Sequence, residues 1–190
     1  MAKEKLGSKS LLYPCPVVIL GANVNGKPNY MTLAFVGIVN MNPGMVAMGV
    51  ARSHYTHIGI KENQTFSLNA PGKDMLEVTD YVGIASGAKT DKSGIFESFY
   101  GTLKTAPMIK ECPLNLECRV LKMLDLGGVD DVIIGEVVES YCEETRLTNG
   151  NPDLEKLDLS VFSMGANQYF SIGKPLGKAW KIGKGYKPER

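Results

Sequence analysis

The stretch PVVILGANVNGKPNYMTLAFVGIVN, residues 16–40, constrains this chain more than any other. A β-branched, apolar run (Val17 to Leu20) is broken by Asn25-Gly26, and a second run begins at Tyr30. Asn and Gly both tolerate positive φ, which a two-residue hairpin turn requires, so the pattern demands a β-hairpin. GMVAMGVA (44–51) and TFSLNA (65–70) read as further strands, the second alternating Phe66 and Leu68 against Ser67 and Asn69. LNLECRVLKMLDL and DVIIGEVVESYCEE form another pair around Gly127-Gly128.

Helical signals are short and lie between these runs. HIGIKEN (57–63) is one, with Thr56 as its expected N-cap and Asn63 at its end. Residues 74–82 form a second and residues 91–101 a weaker third, while TRLTNGNPDLEKLD (145–158) reads as a surface loop. Hairpins alternating with short helices, and no long parallel crossovers, imply a mainly β (α+β) fold. The expected architecture is an antiparallel barrel with short peripheral helices, one domain over 1–190.

Composition narrows the function classes. A net charge of +1 offers no electrostatic case for nucleic acid or an anionic membrane as the main partner. The N-terminal MAKEKLGSKSLLYPCP has no long apolar segment of the kind a signal peptide or membrane anchor needs. Cys15, Cys112, Cys118 and Cys142 show no C-x-x-C spacing, and the expected location is the cytoplasm. All four read as small buried hydrophobes; Cys15, between two prolines, is also a candidate thiol beside a site. Neither G-x-G-x-x-G nor G-x-x-x-x-G-K-[ST] occurs, so the two common nucleotide cradles are missing. His54-x-x-His57 lacks a nearby Cys, Asp or Glu, and no metal site is expected from it.

Ala51-Arg52-Ser53-His54-Tyr55-Thr56-His57 gathers an arginine, hydroxyls and both histidines at a strand-to-helix junction. The first amides of a helix lack internal partners and carry partial positive charge, which suits an anion. Arg52 can add a bidentate pair to phosphate oxygens, and Ser53 and Thr56 can donate further bonds. A plain helix cap with a solvated arginine would present the same residues.

The rest of the chain bears on that choice. NYMTLAFVG (29–37) resembles the signature strand of the flavin reductase-like, FMN-binding split-barrel family, which includes the flavoredoxins. MVAMGVARSHYT, KENQTFSLNAP, Asp91-Lys92, PLNLEC, IIGEVVE and YFSIGKPLGKAWKIGK continue the likeness in order along almost the whole chain. The resemblance implies an FMN cofactor and a homodimer with flavin sites at the subunit junction. It implies that Asn29, Thr32 and Ala34 face the ring or ribityl chain. Met48, Gly49, Val50 and Ala51 would lie along the isoalloxazine and offer it backbone groups. Arg52, Ser53 and Thr56 would hold the phosphate, and Asn69 and Lys92 would complete the pocket. No side chain is implied as acid, base or nucleophile, because the flavin performs the redox chemistry. NAD(P)H or a reduced redox protein would supply electrons, making the protein a flavin (or ferric) reductase-like enzyme or a carrier; a non-redox binding barrel is the remaining alternative. Two departures stand out: Gly128-Val129-Asp130-Asp131 where many relatives carry a histidine, and Phe35 where relatives often have tryptophan.

Overall fold

The computed structural model describes residues 1–188. Seven strands form one antiparallel sheet: β1 (Val18–Val24), β2 (Lys27–Leu33), β3 (Val36–Met41), β4 (Gly44–Ala51), β5 (Thr65–Ala70), β6 (Leu114–Asp125) and β7 (Asp130–Cys142). Helix α1 (Tyr55–Asn63) joins β4 to β5, and α2 (Leu76–Ile84) follows β5. The spatial order is β2-β1-β5-β6-β7-β4-β3, so the two edge strands are neighbours in sequence, separated by Ala34 and Phe35 alone.

That link sets the shape. Three chain steps reach at most about 11 Å, whereas six strand spacings in a flat sheet come to roughly 29 Å. The sheet must curl until its edges lie side by side, and the result is a barrel with a split beside β2. Register shifts between β6 and β7, at Ile134/Gly135 and Val137/Glu139, help the longest hairpin bend.

Inside, Leu20, Met31, Val46, Met48, Phe66 and Ile133 pack together, and Ile60 of α1 closes one end. Helix α1 sits close because position 59 is glycine: a Cβ there would run into the Asn23 carbonyl. The Asn25-Gly26 turn has positive φ at both residues, as its sequence requires. On the outer face of β1 and β2, Ile19, Tyr30, Val82, Phe96 and Ile109 form a second cluster, with Tyr30 and Phe96 edge-on at 5.2 Å. After β7 come a short helix α3 (Leu154–Leu157) and a hairpin of β8 (Ser160–Ser163) and β9 (Gln168–Ser171), with Cys15-Pro16 paired to β8. Among the described residues no helix is long and apolar enough to cross a membrane.

Three local expectations are corrected. Residues 91–101 form no helix. Phe96 is committed to Tyr30, Lys92 to the end of α2, and Ser98–Phe99 to pairing with Met108–Ile109, so tertiary contacts override a weak propensity. Residues 145–158 are ordered rather than a loop, folding as a small hairpin about Asn149-Gly150 and then α3, which Asp153 caps through the Glu155 amide. Helix α1 begins two residues earlier than expected, so its N-cap is His54 and Thr56 lies in the first turn.

Phe66 is fully buried, with Gly135 of β7 directly against its ring. Phe66→Ala should cost about 3–5 kcal/mol, read as a lower denaturant midpoint, because the neighbouring strands cannot collapse into the space.

Candidate functional site

Strand β2 has a free edge, and its residues alternate: Met31 and Leu33 point into the barrel while Tyr30 points outward. Segment 49–56 runs between two anchors along this strand. At one end the Gly49 amide donates to the Phe35 carbonyl (2.9 Å), and at the other Asn29 Nδ2 donates to Thr56 Oγ1 (2.7 Å). The split therefore has Asn29, Thr32 and Ala34 on one bank and Gly49 to Thr56 on the other.

Two cavities of about 370 Å³ each border β2. The first is mostly apolar and involves Thr32, Ala34, Gly83, Ile84, Phe162 and Tyr169. Thr32 Oγ1 donates to the Thr79 carbonyl and so pins α2 against the strand, and Tyr169 donates to Asp80 Oδ1 (2.8 Å), fastening the β8–β9 hairpin to the same helix. Burial and Asp80 together push the Tyr169 phenol up to about 12. The second cavity is polar and cationic, with Lys27, Lys89 and Lys92 beside Asn29, Tyr55 and Asp91. Gly87 lets the chain pass over Asn29, since a Cβ there would strike both the Asn29 amide and the Tyr55 ring.

Lys92 is buried and donates to the carbonyls of Val82 (3.0 Å) and Ala85 (2.8 Å), at the C-terminal end of α2. Loss of hydration pulls its ammonium down to about 8. Lys27 pairs with Asp91 (3.0 Å), whose carboxyl is held below the usual range chiefly by its hydrogen bonds to Ser93, with Lys27 adding to the effect. One carboxylate against three lysines leaves this end positive. It adjoins the first turn of α1, where His54 makes no side-chain cap.

Arg52 is placed differently from the expectation. Its guanidinium meets Asp131 Oδ1 (2.8 Å) and Asp125 Oδ1 (2.9 Å) and donates to the Gly128 carbonyl. Buried His57 holds the other Asp131 oxygen at 2.7 Å. The physical reason is register: β7 sets Asp130 opposite Ala51 and Asp131 opposite Val50, which brings the β6–β7 hairpin's carboxylates to the arginine. Ser53 is exposed in the turn, and Thr56 is buried with its hydroxyl on Asn29.

Asn69 has another task. Its amide donates to Ile19 O (2.9 Å) and Ser67 Oγ (3.0 Å), and its oxygen accepts from the Ile109 amide (3.0 Å) and Asn115 (2.9 Å). Fully buried and fully bonded, it holds the sheet to the 107–109 segment and has nothing left for a ligand. Met48 and Val50 send their side chains into the core, and Gly49 and Ala51 face out from β4. Sequence reasoning missed Lys27, Lys89, Tyr55, Gly83, Gly87, Phe162 and Tyr169. Tyr55 and Tyr169 stood inside motifs already noted, and the others carry no local signal.

Residues 10–156 match the family described as the flavin reductase like domain, and the chain belongs to that family. Its fold is the FMN-binding split-barrel type. It is similar to the crystal structure of flavoredoxin from Methanosarcina acetivorans, with 49% identity over 97% of this chain and 98% of that one, at a TM-score of 0.94. Flavoredoxin of Desulfovibrio vulgaris (Miyazaki F) is 29% identical over 96% of this chain and 100% of that one, at 0.89. An uncharacterized protein of Archaeoglobus fulgidus is 31% identical over 88% of this chain and 94% of its own. The family sets the activity, coarsely, in flavin-linked redox chemistry.

His57, then Arg52, hold the Asp131 carboxyl below its ordinary 3.8. A depressed folded-state pKa gives stability that is present above about pH 4 and lost as pH falls through the folded value. Asp131→Asn should therefore lower Tm at neutral pH, with the gap to the parent protein closing as thermal melts are repeated at successively more acidic pH.

Proposed function

We propose that the chain binds FMN in the split and passes electrons through it as an NAD(P)H-dependent flavin (or ferric) reductase-like oxidoreductase. One observation carries this reading: of the two cavities along β2, the one beside Ala34 is mostly apolar and the one beside Asn29, at the first turn of α1, is cationic. FMN has the same polarity, a flat ring system at one end and a phosphate at the other. When bound, the flavin supplies the hydride and electron chemistry. The protein positions it. Thr32, Ala34, Gly49 and Ala51 border the ring and ribityl chain. Asn29, Ser53, Thr56 and the α1 amides meet the phosphate, and Lys92 and Lys89 supply charge. Arg52, held by its carboxylates, shapes the turn rather than serving as the phosphate's main cation.

A carrier that exchanges electrons with a reduced protein is favoured by one feature. The 128–131 stretch, where the family resemblance implies a histidine in many members, here has Asp131 at the start of β7, paired with Arg52 and His57. Anaerobic stopped-flow mixing of the FMN-loaded protein with NADH and with NADPH separates the two. Rapid flavin bleaching by either nicotinamide identifies the reductase. Bleaching by a reduced ferredoxin-type protein alone identifies the carrier, and failure to acquire flavin absorbance on adding FMN would refute both.

Two copies are expected to associate through β3, an edge strand whose Ile38 and Met41 are 74% and 84% exposed. Four unpaired cysteines suit a reducing cytoplasm.

Lys92→Met should weaken FMN by about 1.5–3 kcal/mol, the range for a charged hydrogen-bonding group, and riboflavin, which has no phosphate, far less. Its charge is present below about pH 8. FMN affinity should thus fall as pH rises through that value in the parent protein and show no such step in Lys92→Met, measured by flavin fluorescence titration. Arg52→Ala should weaken FMN and riboflavin alike.

A further inference from the structure

The segment from Gly173 to Pro188 has an ordered backbone and nothing to cover it. Lys181 and Ile182 amides donate to the Lys178 carbonyl, and Tyr186 donates to Gly183. Ile182 folds back on Gly177, where a Cβ would collide with it. The segment is therefore a turn with its own local structure, yet every residue from Ser171 to Pro188 is exposed. Its apolar side chains are large: Leu176 is 96% exposed and Trp180 is 93% exposed, with Ile182 and Tyr186 beside them. Trp180 also has φ +59°, a left-handed conformation that a bulky residue keeps only where its surroundings hold it. Its own barrel provides no such surroundings.

Charge points the same way. Residues 173–190 contain six of the chain's 21 cations and one of its 20 anions, so the remaining body has 15 cations against 19 anions and a net charge of −4. A cationic arm studded with aromatic and aliphatic side chains stands off an acidic body. On the body, the edge strand β3 presents exposed apolar side chains at Ile38, Val39 and Met41.

We infer that residues 173–188 are an intermolecular clasp: the arm of one copy lies on the second copy, its Leu176, Trp180 and Ile182 against β3 and its lysines on the acidic body. The inference rests on the dimeric reading above and adds to it the segment that holds the copies together. Because β3 leads directly back through Phe35 to β2, an arm seated there borders the split of the opposite subunit.

The chain's single tryptophan makes the clasp visible, since all indole emission comes from the arm. In the full chain, Trp180 emission should be blue-shifted and protected from acrylamide at concentrations where sedimentation shows a dimer, and should become red-shifted and quenchable on dilution. Leu176→Ser with Ile182→Ser, both exposed in the isolated subunit, should weaken dimerisation by at least tenfold (~1.4 kcal/mol) and expose Trp180, with far-UV dichroism unchanged. Ile38→Ser should expose Trp180 as well. A stable dimer whose Trp180 is solvent-exposed throughout would overturn the clasp and leave the dimer standing. A monomer at every concentration would overturn both. Burial of Trp180 only when anionic vesicles are added would assign the arm to a lipid surface instead.

Discussion

Everything in this protein follows from a short tether. Ala34 and Phe35 join the first and last strands of a seven-stranded sheet, and two residues cannot bridge a flat sheet of that width. Curling is obligatory. Because β2 and β3 leave the tether as edge strands, the seam stays open beside β2, and the opening is where segment 49–56 and the end of α2 converge. The barrel's defect and its candidate site are one feature. The interior that supports it is apolar and closely packed, with Phe66 against Gly135 and Ile60 plugging one end.

Polar groups around the seam divide into those with every valence satisfied and those with capacity to spare. Asn69 makes four hydrogen bonds, and buried Glu117 accepts from the Thr102 and Leu103 amides and from Tyr141. Such groups organise loops and are unavailable to a ligand. Lys92 is different: it has three N–H donors, two of them given to carbonyls, and among the described residues no carboxylate is one of its hydrogen-bond partners. Leaving a cation poorly compensated costs stability in a ligand-free chain, which makes sense where an anion completes it. Arg52 shows the converse, a cation whose charge is answered by Asp125 and Asp131 inside the protein.

Local patterns carried most of the strands. Asn25-Gly26 announced its hairpin because positive φ is a property of the residues themselves. Phe66 and Leu68 announced β5 through simple alternation. Where a segment's conformation depends on distant partners the reading failed: residues 91–101 gave up a helix to Tyr30 and α2, and residues 145–158 were ordered despite their polarity. Of the residues expected at the site from sequence, Thr32 and Ala34 border the apolar cavity and Asn29 the cationic one. Lys27, Lys89, Gly87 and Phe162 were not expected there, because a lone lysine or glycine looks the same wherever it lies.

The amino-acid sequence by itself determined that this chain would be mainly β, since hairpin turns and strand periods are encoded within a few residues of one another, and the order of its motifs along the chain carried the likeness to the flavin reductase-like family. Only the tertiary structure decided which polar groups remain available. Asp131 is 79 residues from Arg52, and strand register alone brings the two together at 2.8 Å. A side chain's freedom depends on what folding places beside it, and that distance along the chain hides it from any local reading.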